Sequence, residues 1–429
     1  MLIIQLIRGF NRRCHNYLKS LKKITLSLIR HKSLKSLNKD ILSLMPHNSL
    51  RSLNKNILSL IDDANFDDAT RLCREGLQKY PKSIRVNECL TVCLDVLQEH
   101  EEAIFWAENS ARLRIKRIKK RLKDEILEEA QQKGLQKHQR IFASGYFKSG
   151  SSALVDYLRG LDRTKKWTPY GEMRLIKTPG GIRDFSEKYY SGEKTEAILN
   201  LYLTIVGRKL TTTKTWNNSN RISRKLISNQ KCSAYILECL QFWLKLKSSP
   251  AKSVEEFNSY SVDFLNKAFN HAAYSYNADN LIIDQAINAW RLHLARFVPP
   301  STFFVVNRDP RDHFAESRYH WMKLGKKRQT VEEYIRKYRK IRNKSIKQAK
   351  KMSKLYGHKF FFYSFEDFVY DHVNSAKKLK DDLGLIGSSN SYDPELSKKN
   401  IGKFVNVLTR HERSLIESEL KDFLHPAAG

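Results

Sequence analysis

From residue 139 onward, short apolar runs alternate with longer stretches in which apolar residues recur every three or four positions. Ile141-Phe142-Ala143, Leu281-Ile282-Ile283 and Thr302-Phe303-Phe304-Val305-Val306 are continuous runs, the pattern of strands buried on both faces. Strands are predicted near 140–144, 281–284, 302–307 and 359–363. Helices are predicted over 151–160, 230–248, 253–271, 286–297, 311–322 and 331–354. Strands separated by helices imply a parallel sheet with helices packed against it, an α/β fold. Ligands of such sheets bind beyond the C-terminal ends of the strands.

Before residue 139 the pattern is helical throughout. His31 to Leu44 recurs as His47 to Leu60, a duplication of period 16 in a basic amphipathic arm over 1–60. Such an arm either lies on an anionic membrane surface or packs on its own protein. Phe66-Asp67-Asp68-Ala69 aligns with His100-Glu101-Glu102-Ala103 at an offset of 34, Cys73 with Ala107 and Leu77 with Ala111. This period resembles tetratricopeptide repeats, with Tyr80-Pro81 ending the first helix pair. Two such units either bind a protein partner, build a homo-oligomer or form a helical cap. Residues 112–138 read as one long charged linker helix. The predicted domains are therefore 1–60, 61–138 and 139–429.

Charge changes the picture. Lys and Arg number 78 against 45 Asp and Glu, a net +33 in 429 residues, with hydrophobic content of 41 % for a sizeable core. Such an excess suggests a polyanionic partner: anionic polysaccharide, nucleic acid or an anionic membrane. Residues 323–354 hold fourteen Lys and Arg against Glu332 and Glu333, with Tyr334 and Tyr338 one turn apart. This segment is expected near the cleft mouth, either holding an anionic glycan or forming a solvated face. Cys14, Cys73, Cys89, Cys93, Cys232 and Cys239 have neither C-x-x-C nor zinc-site spacing, so reduced, mostly buried thiols are expected. The apolar stretch from Met1 to Ile7 is too short to span a bilayer and lacks the features of a signal peptide. A cytoplasmic protein is expected, with peripheral contact through 1–60 at the inner face of a membrane as an option.

Two tracts carry chemistry. Ser144-Gly145-Tyr146-Phe147-Lys148-Ser149-Gly150-Ser151-Ser152 joins a predicted strand to a predicted helix. A Gly/Ser turn there directs free N–H groups and the positive helix end at one anion. Lys148 adds a charge, and Ser149, Ser151 and Ser152 add hydroxyl donors. The nucleoside-triphosphatase P-loop, G-x-x-x-x-G-K-[ST], is absent. The second tract, Arg308-Asp309-Pro310-Arg311-Asp312, follows the 302–307 run. Pro310 suits a helix's first turn. An arginine at a strand's C-terminal end suits bidentate phosphate binding; its bland alternative is an ion pair with Asp312.

The first tract resembles the 5′-phosphosulfate-binding loop of sulfotransferases that use 3′-phosphoadenosine 5′-phosphosulfate (PAPS). The second resembles that family's 3′-phosphate-binding motif, in the family's order. The resemblance covers residues 139–405. It implies a P-loop-like nucleotide fold binding PAPS, with Lys148 on the 5′-phosphosulfate and its bridging oxygen. Ser149, Gly150, Ser151 and Ser152 would surround that group, and Arg308 would meet the 3′-phosphate. The family places a serine eight residues after this arginine. Here Glu316 stands there and Ser317 one step later, about 100° around a helix, and Ser317 is the nucleotide contact that the resemblance implies. Lys399-Asn400-Ile401-Gly402-Lys403-Phe404 resembles the family's C-terminal N-x-G-(K/R)-(W/F/Y) stretch, making Lys403 a further nucleotide contact.

The implied reaction is in-line sulfuryl transfer to a hydroxyl or amine of a carbohydrate, with an anionic cell-surface polysaccharide the expected acceptor. It needs a general base, positive charge on the bridging oxygen and alignment, and no metal. Lys148 supplies the charge. The polysaccharide-modifying branch often uses a glutamate after the first strand–helix unit, and Glu172 lies in that region. Asp284, ending the 281–284 strand, is second; His293 and His320 follow. Two rival readings remain: a P-loop-type phosphotransferase, and a non-catalytic binder of polyanions or membrane surfaces.

Overall fold

Five parallel strands, one more than predicted, form the centre of the fold: β1 (Gln139–Gly145), β2 (Thr164–Lys166), β3 (Asn280–Asp284), β4 (Thr302–Asn307) and β5 (Lys359–Ser364). Their order across the sheet is β2-β3-β1-β4-β5. The computed structural model describes residues 49–122, 138–167, 172–210, 224–227, 229, 232–323 and 329–426. Contacts divide the chain into Met1–Asn56 and Ile57–Gly429. Of the first unit only the start of helix α1 (Leu50–Asp62) is described, so most of the basic arm, with the first copy of its duplication, lies outside the described residues.

β1 is the central strand. Ile141 is paired in register with Ile282 on one side and Thr302 on the other. Successive residues face opposite sides of a sheet. Ile141 and Ala143 therefore join Ile282, Phe304 and Val306 against Leu154 and Leu158 of helix α5 (Ser151–Arg159). Phe142 points the other way. It stacks on Phe303 at 4.6 Å and meets Phe269 of helix α9 (Val254–Tyr276) edge-on at 5.9 Å. Each such fully buried phenylalanine contributes about 1.5–3 kcal/mol. Helices cover both faces.

The chain leaves β1 toward β2 and β3, then crosses to β4 on the other side. Strand order reverses at β1, which opens a crevice at the C-terminal ends of β1 and β4. Helix α10 (Pro310–Lys323) follows β4, and helix α11 (Val331–Tyr356) follows α10. A reciprocal capping box between Thr330 and Glu333 starts α11, and Gly357 at φ 69° ends it.

Ahead of the sheet stand α2 (Phe66–Lys79), α3 (Ile84–Val96) and α4 (His100–Arg121). Ala69, Cys73, Leu77, Ala103, Ala107 and Ala111, the positions matched by the 34-residue offset, are all buried. Tyr80-Pro81 follows the two helices α1 and α2 and precedes α3, because Pro81 lacks the N–H that would continue α2. Of the linker helix expected over 112–138, residues 112–121 continue α4, which ends at Arg121, and 123–137 lie outside the described residues. Buried Glu88 on α3 pairs with Arg114 of α4 and, at 3.2 Å, with Arg208. Arg208 follows helix α7 (Lys194–Ile205), so these helices are tied to the sheet domain.

Other differences have local causes. Thr164-Lys165-Lys166 was not predicted because a short polar edge strand has no apolar signature. Helices α6 (Ile182–Tyr190) and α7 occupy a stretch given no elements. Helix α8 (Ser233–Ser248) starts later than predicted, and 230–231 lie outside the described residues. The helix predicted over 286–297 is a 3₁₀ segment, Ala289–Phe297, broken at Arg291. Ala289, Leu292, Leu294, Ala295 and Phe297 of this segment are buried, while Trp290, Arg291, His293 and Arg296 are half-buried. Cys73, Cys89, Cys93, Cys232 and Cys239 are buried free thiols, and Cys14 lies outside the described residues. Among the described residues no helix is long and apolar enough to cross a membrane.

Candidate functional site

The turn after β1 is built for close backbone approach. Lys148 adopts φ 61°, a left-handed conformation that costs a non-glycine residue about 1–2 kcal/mol. Gly150 at φ 83° precedes α5, and a Cβ there would lie 2.3 Å from the Phe365 ring. A Cβ on Gly145 would lie 2.5 Å from Ser149 Oγ, so the strand's last residue makes room for that hydroxyl. Ser149 is 1 % exposed, and its Oγ has no hydrogen-bond partner among the described residues. The N–H groups of Gly150, Ser151 and Ser152 meet no backbone carbonyl there either. Gln285, after β3, donates to Ser151 Oγ at 2.7 Å. Lys148 has no ion-pair partner among the described residues; its Nζ stands 5.7 Å from the centroid of the Phe147 ring.

Arg308 leaves the end of β4 and reaches back to this turn. Its Nη1 donates to the Lys148 carbonyl at 3.0 Å, and its Nη2 to the Asn400 carbonyl. Its guanidinium lies over Phe365 at 5.5 Å, and its Nε is buried without a partner. The bland ion pair with Asp312 is not formed. Asp312 instead accepts from the N–H groups of Gly402 at 2.7 Å and Phe404 at 3.1 Å. Among the described residues Arg308 pairs with no carboxylate. From α11, Tyr338 donates its hydroxyl to the Arg308 carbonyl at 2.9 Å and Tyr334 donates to that of Pro310 at 2.9 Å.

A third group faces the turn from the β3 side. The Met173 N–H donates to the Asp284 carbonyl at 2.9 Å, which brings the segment after Gly171 (outside the described residues) to the end of β3. Glu172 accepts from Lys177 Nζ at 3.1 Å and lies 3.4 Å from Arg174. Asp284 meets Lys166 Nζ at 2.5 Å. Burial raises the Asp284 carboxyl above the ordinary range, against the pull of Lys166, and nearby Glu172 pushes the same way. Burial lowers the Lys177 ammonium.

All three groups open onto one cavity of about 870 Å³. Lys148, Ser149, Gly150, Ser151, Ser152, Glu172, Asp284 and Arg308 line it. Ser317 and Lys403 do not. Ser317 is buried, while its neighbour Glu316 lines the cavity and holds Lys403 Nζ at 3.5 Å. From the 399–404 stretch it is Asn400 that lines the cavity. His293 is turned to Gln348 of α11, and His320 lies against Phe147 at 4.9 Å; neither lines the cavity. No α11 residue lines it either, and 324–328 of the basic stretch expected near the cleft mouth lie outside the described residues.

Sequence reasoning missed Lys177, Arg174 and Lys166, and in the 399–404 stretch it chose Lys403 where Asn400 lines the cavity. Lone cations in loops and on a short edge strand carry no local signal. The arrangement can hold two separate anionic groups, one at the α5 N-terminus and one at Arg308, with the Glu172 and Asp284 carboxylates lining the same cavity. No known protein family matches the chain, and no curated protein matches it.

Proposed function

We propose that this chain is a sulfotransferase that moves the sulfuryl group of PAPS to a hydroxyl or amine of a carbohydrate, a cell-surface polysaccharide. One observation carries the reading. The Lys148 turn and Arg308, 160 residues apart in the chain, line a single cavity at the sheet's switch point with buried donors unspent. A buried hydroxyl and a buried guanidinium N–H without partners suit a ligand with two phosphate-type groups. Bound there, PAPS would supply an activated sulfuryl group on a phosphate leaving group.

In this reading Ser149, Ser151, Ser152 and the first N–H groups of α5 hold the 5′ end, and Lys148 stabilises charge on the bridging oxygen. Arg308, anchored by Tyr338, holds the 3′-phosphate. Glu172, the more open of the two carboxylates, takes the acceptor's proton; Lys177 and Arg174 orient it. Asp284, tied to Lys166, fixes the wall on which Glu172 stands. The nucleotide fold is of the P-loop-like sulfotransferase type, and the reaction takes place in the cytoplasm.

Calorimetric titration of adenosine 3′,5′-bisphosphate, with ATP and magnesium in parallel, tests the reading. Tight binding of the bisphosphate, lost in Lys148→Ala, is expected. Binding of ATP alone would transfer the cavity to a phosphotransferase, and binding of neither by folded protein would remove the nucleotide reading.

A further inference from the structure

Helix α11 carries an unspent charge on its outer side. Its buried side consists of Val331, Tyr334, Ile335, Tyr338, Ser345, Ala349 and Met352. At about 100° per residue, Arg336, Lys340, Lys344, Lys347, Lys351 and Lys354 fall within roughly 40° of one line on the opposite side. All six are exposed, and none has an ion-pair partner among the described residues. The row is roughly 27 Å long at about 1.5 Å per residue. The helix's only acids, Glu332 and Glu333, lie in its first turn. Lys340–Lys344 and Lys347–Lys351 are i,i+4 like-charge pairs, each costing about 0.2–0.5 kcal/mol. A polyanion laid along the row relieves that repulsion.

We propose that this row docks an extended anionic polysaccharide at a surface separate from the donor cavity. Tyr338, on the opposite side of α11, bonds the Arg308 carbonyl, so the row faces away from the cavity. Nucleic acid fits less well: the helix's two tyrosines nearest the row's start, Tyr334 and Tyr338, are buried and offer no base a stacking partner. An anionic membrane fits less well because α11 exposes only two large apolar side chains, Ile346 and Leu355, nine residues apart and too little to insert. The choice of polysaccharide as occupant rests on the proposed transferase reading. Held on the row, a polymeric acceptor is kept at high local concentration near the cavity. Its KM is then set partly by the row, whereas a short oligosaccharide's is not.

The test compares full-length wild type with Lys340→Gln/Lys344→Gln/Lys347→Gln/Lys351→Gln. A control, Lys116→Gln/Arg117→Gln/Lys119→Gln/Lys120→Gln, removes the same charge from exposed positions on α4. The probes are a polyuronate, a DNA duplex of matched charge and phosphatidylserine vesicles, each across a salt series. For the polyuronate, the row variant is expected to lose about 10-fold or more in affinity at low salt, with a shallower salt dependence. The control should stay within about 2-fold, because its cations lie off the row. Equal losses in both variants would overturn the proposal, since net charge alone would then be at work; so would unchanged binding by the row variant. Row-dependent binding tighter for the duplex or the vesicles would overturn the choice of occupant. The row variant should keep wild-type affinity for adenosine 3′,5′-bisphosphate, so failure of the docking surface and failure of the donor site are read separately.

Discussion

Arg308→Ala separates a phosphate ligand from a structural strut. The side chain does two things that a single affinity measurement would confuse. It donates to the Lys148 and Asn400 carbonyls and so braces the turn after β1. It also keeps a buried Nε without a partner beside the cavity. Losing the brace leaves two carbonyls short of a donor, at about 1–3 kcal/mol each where water cannot replace it. That disturbance reaches every ligand of the turn. Losing charge-assisted contacts to a 3′-phosphate costs about 3 kcal/mol, or roughly 100-fold in Kd, only for a ligand that has one. The assay is therefore a cycle: calorimetry of adenosine 3′,5′-bisphosphate and adenosine 5′-phosphate on wild type and variant. The bisphosphate should lose roughly 100-fold more than the monophosphate. Equal losses for the two nucleotides would refute the 3′-phosphate assignment and leave Arg308 as a brace.

Gly150→Ala should destabilise the fold by about 2–4 kcal/mol, from left-handed strain plus overlap with Phe365, and an unmoved urea midpoint would contradict that. Glu172→Gln should lower kcat about 10²–10⁴-fold while bisphosphate affinity holds. Near-normal turnover in that variant, with Asp284→Asn inactive, would transfer the base to Asp284. Burial, with Arg308 nearby, holds the His313 imidazole down to about 3, below its ordinary 6.5. The unfolded chain then takes up this proton first, so stability falls as pH drops from about 6.5 toward 3, by up to about 1.4 kcal/mol per pH unit. His313→Asn should show a shallower acid slope in urea midpoints, and parallel slopes would exclude this histidine as the source.

The central strands were legible because parallel strands covered on both faces read as unbroken apolar runs, as in Ile141-Phe142-Ala143 and Phe303-Phe304-Val305-Val306. Thr164-Lys165-Lys166 was not, because an edge strand is held by its pairing with Asn280, Leu281 and Ile282 rather than by its own side chains. The same contrast runs through the site. The Gly/Ser turn and Arg308-Asp309-Pro310 are marked by backbone demands that only certain residues meet. Lys166 and Lys177 are marked by nothing local; they arrive through strand pairing and the bond from Met173 to Asp284, while in the 399–404 stretch it is the reach of Arg308 that selects Asn400 rather than Lys403. At positions 316 and 317 the helix's phase is what matters, and it puts Glu316, not Ser317, on the cavity wall.

By itself, then, the sequence determined an α/β sheet, the two tracts that carry the candidate chemistry and an extreme positive charge, because hydrophobic period, turn chemistry and charge are local properties of a chain. The tertiary structure alone decided that those tracts share one cavity, which cations accompany the two carboxylates, and that the lysines of α11 face away from them. Each of these depends on strand order, register and helix rotation, which bring together residues that the chain keeps far apart.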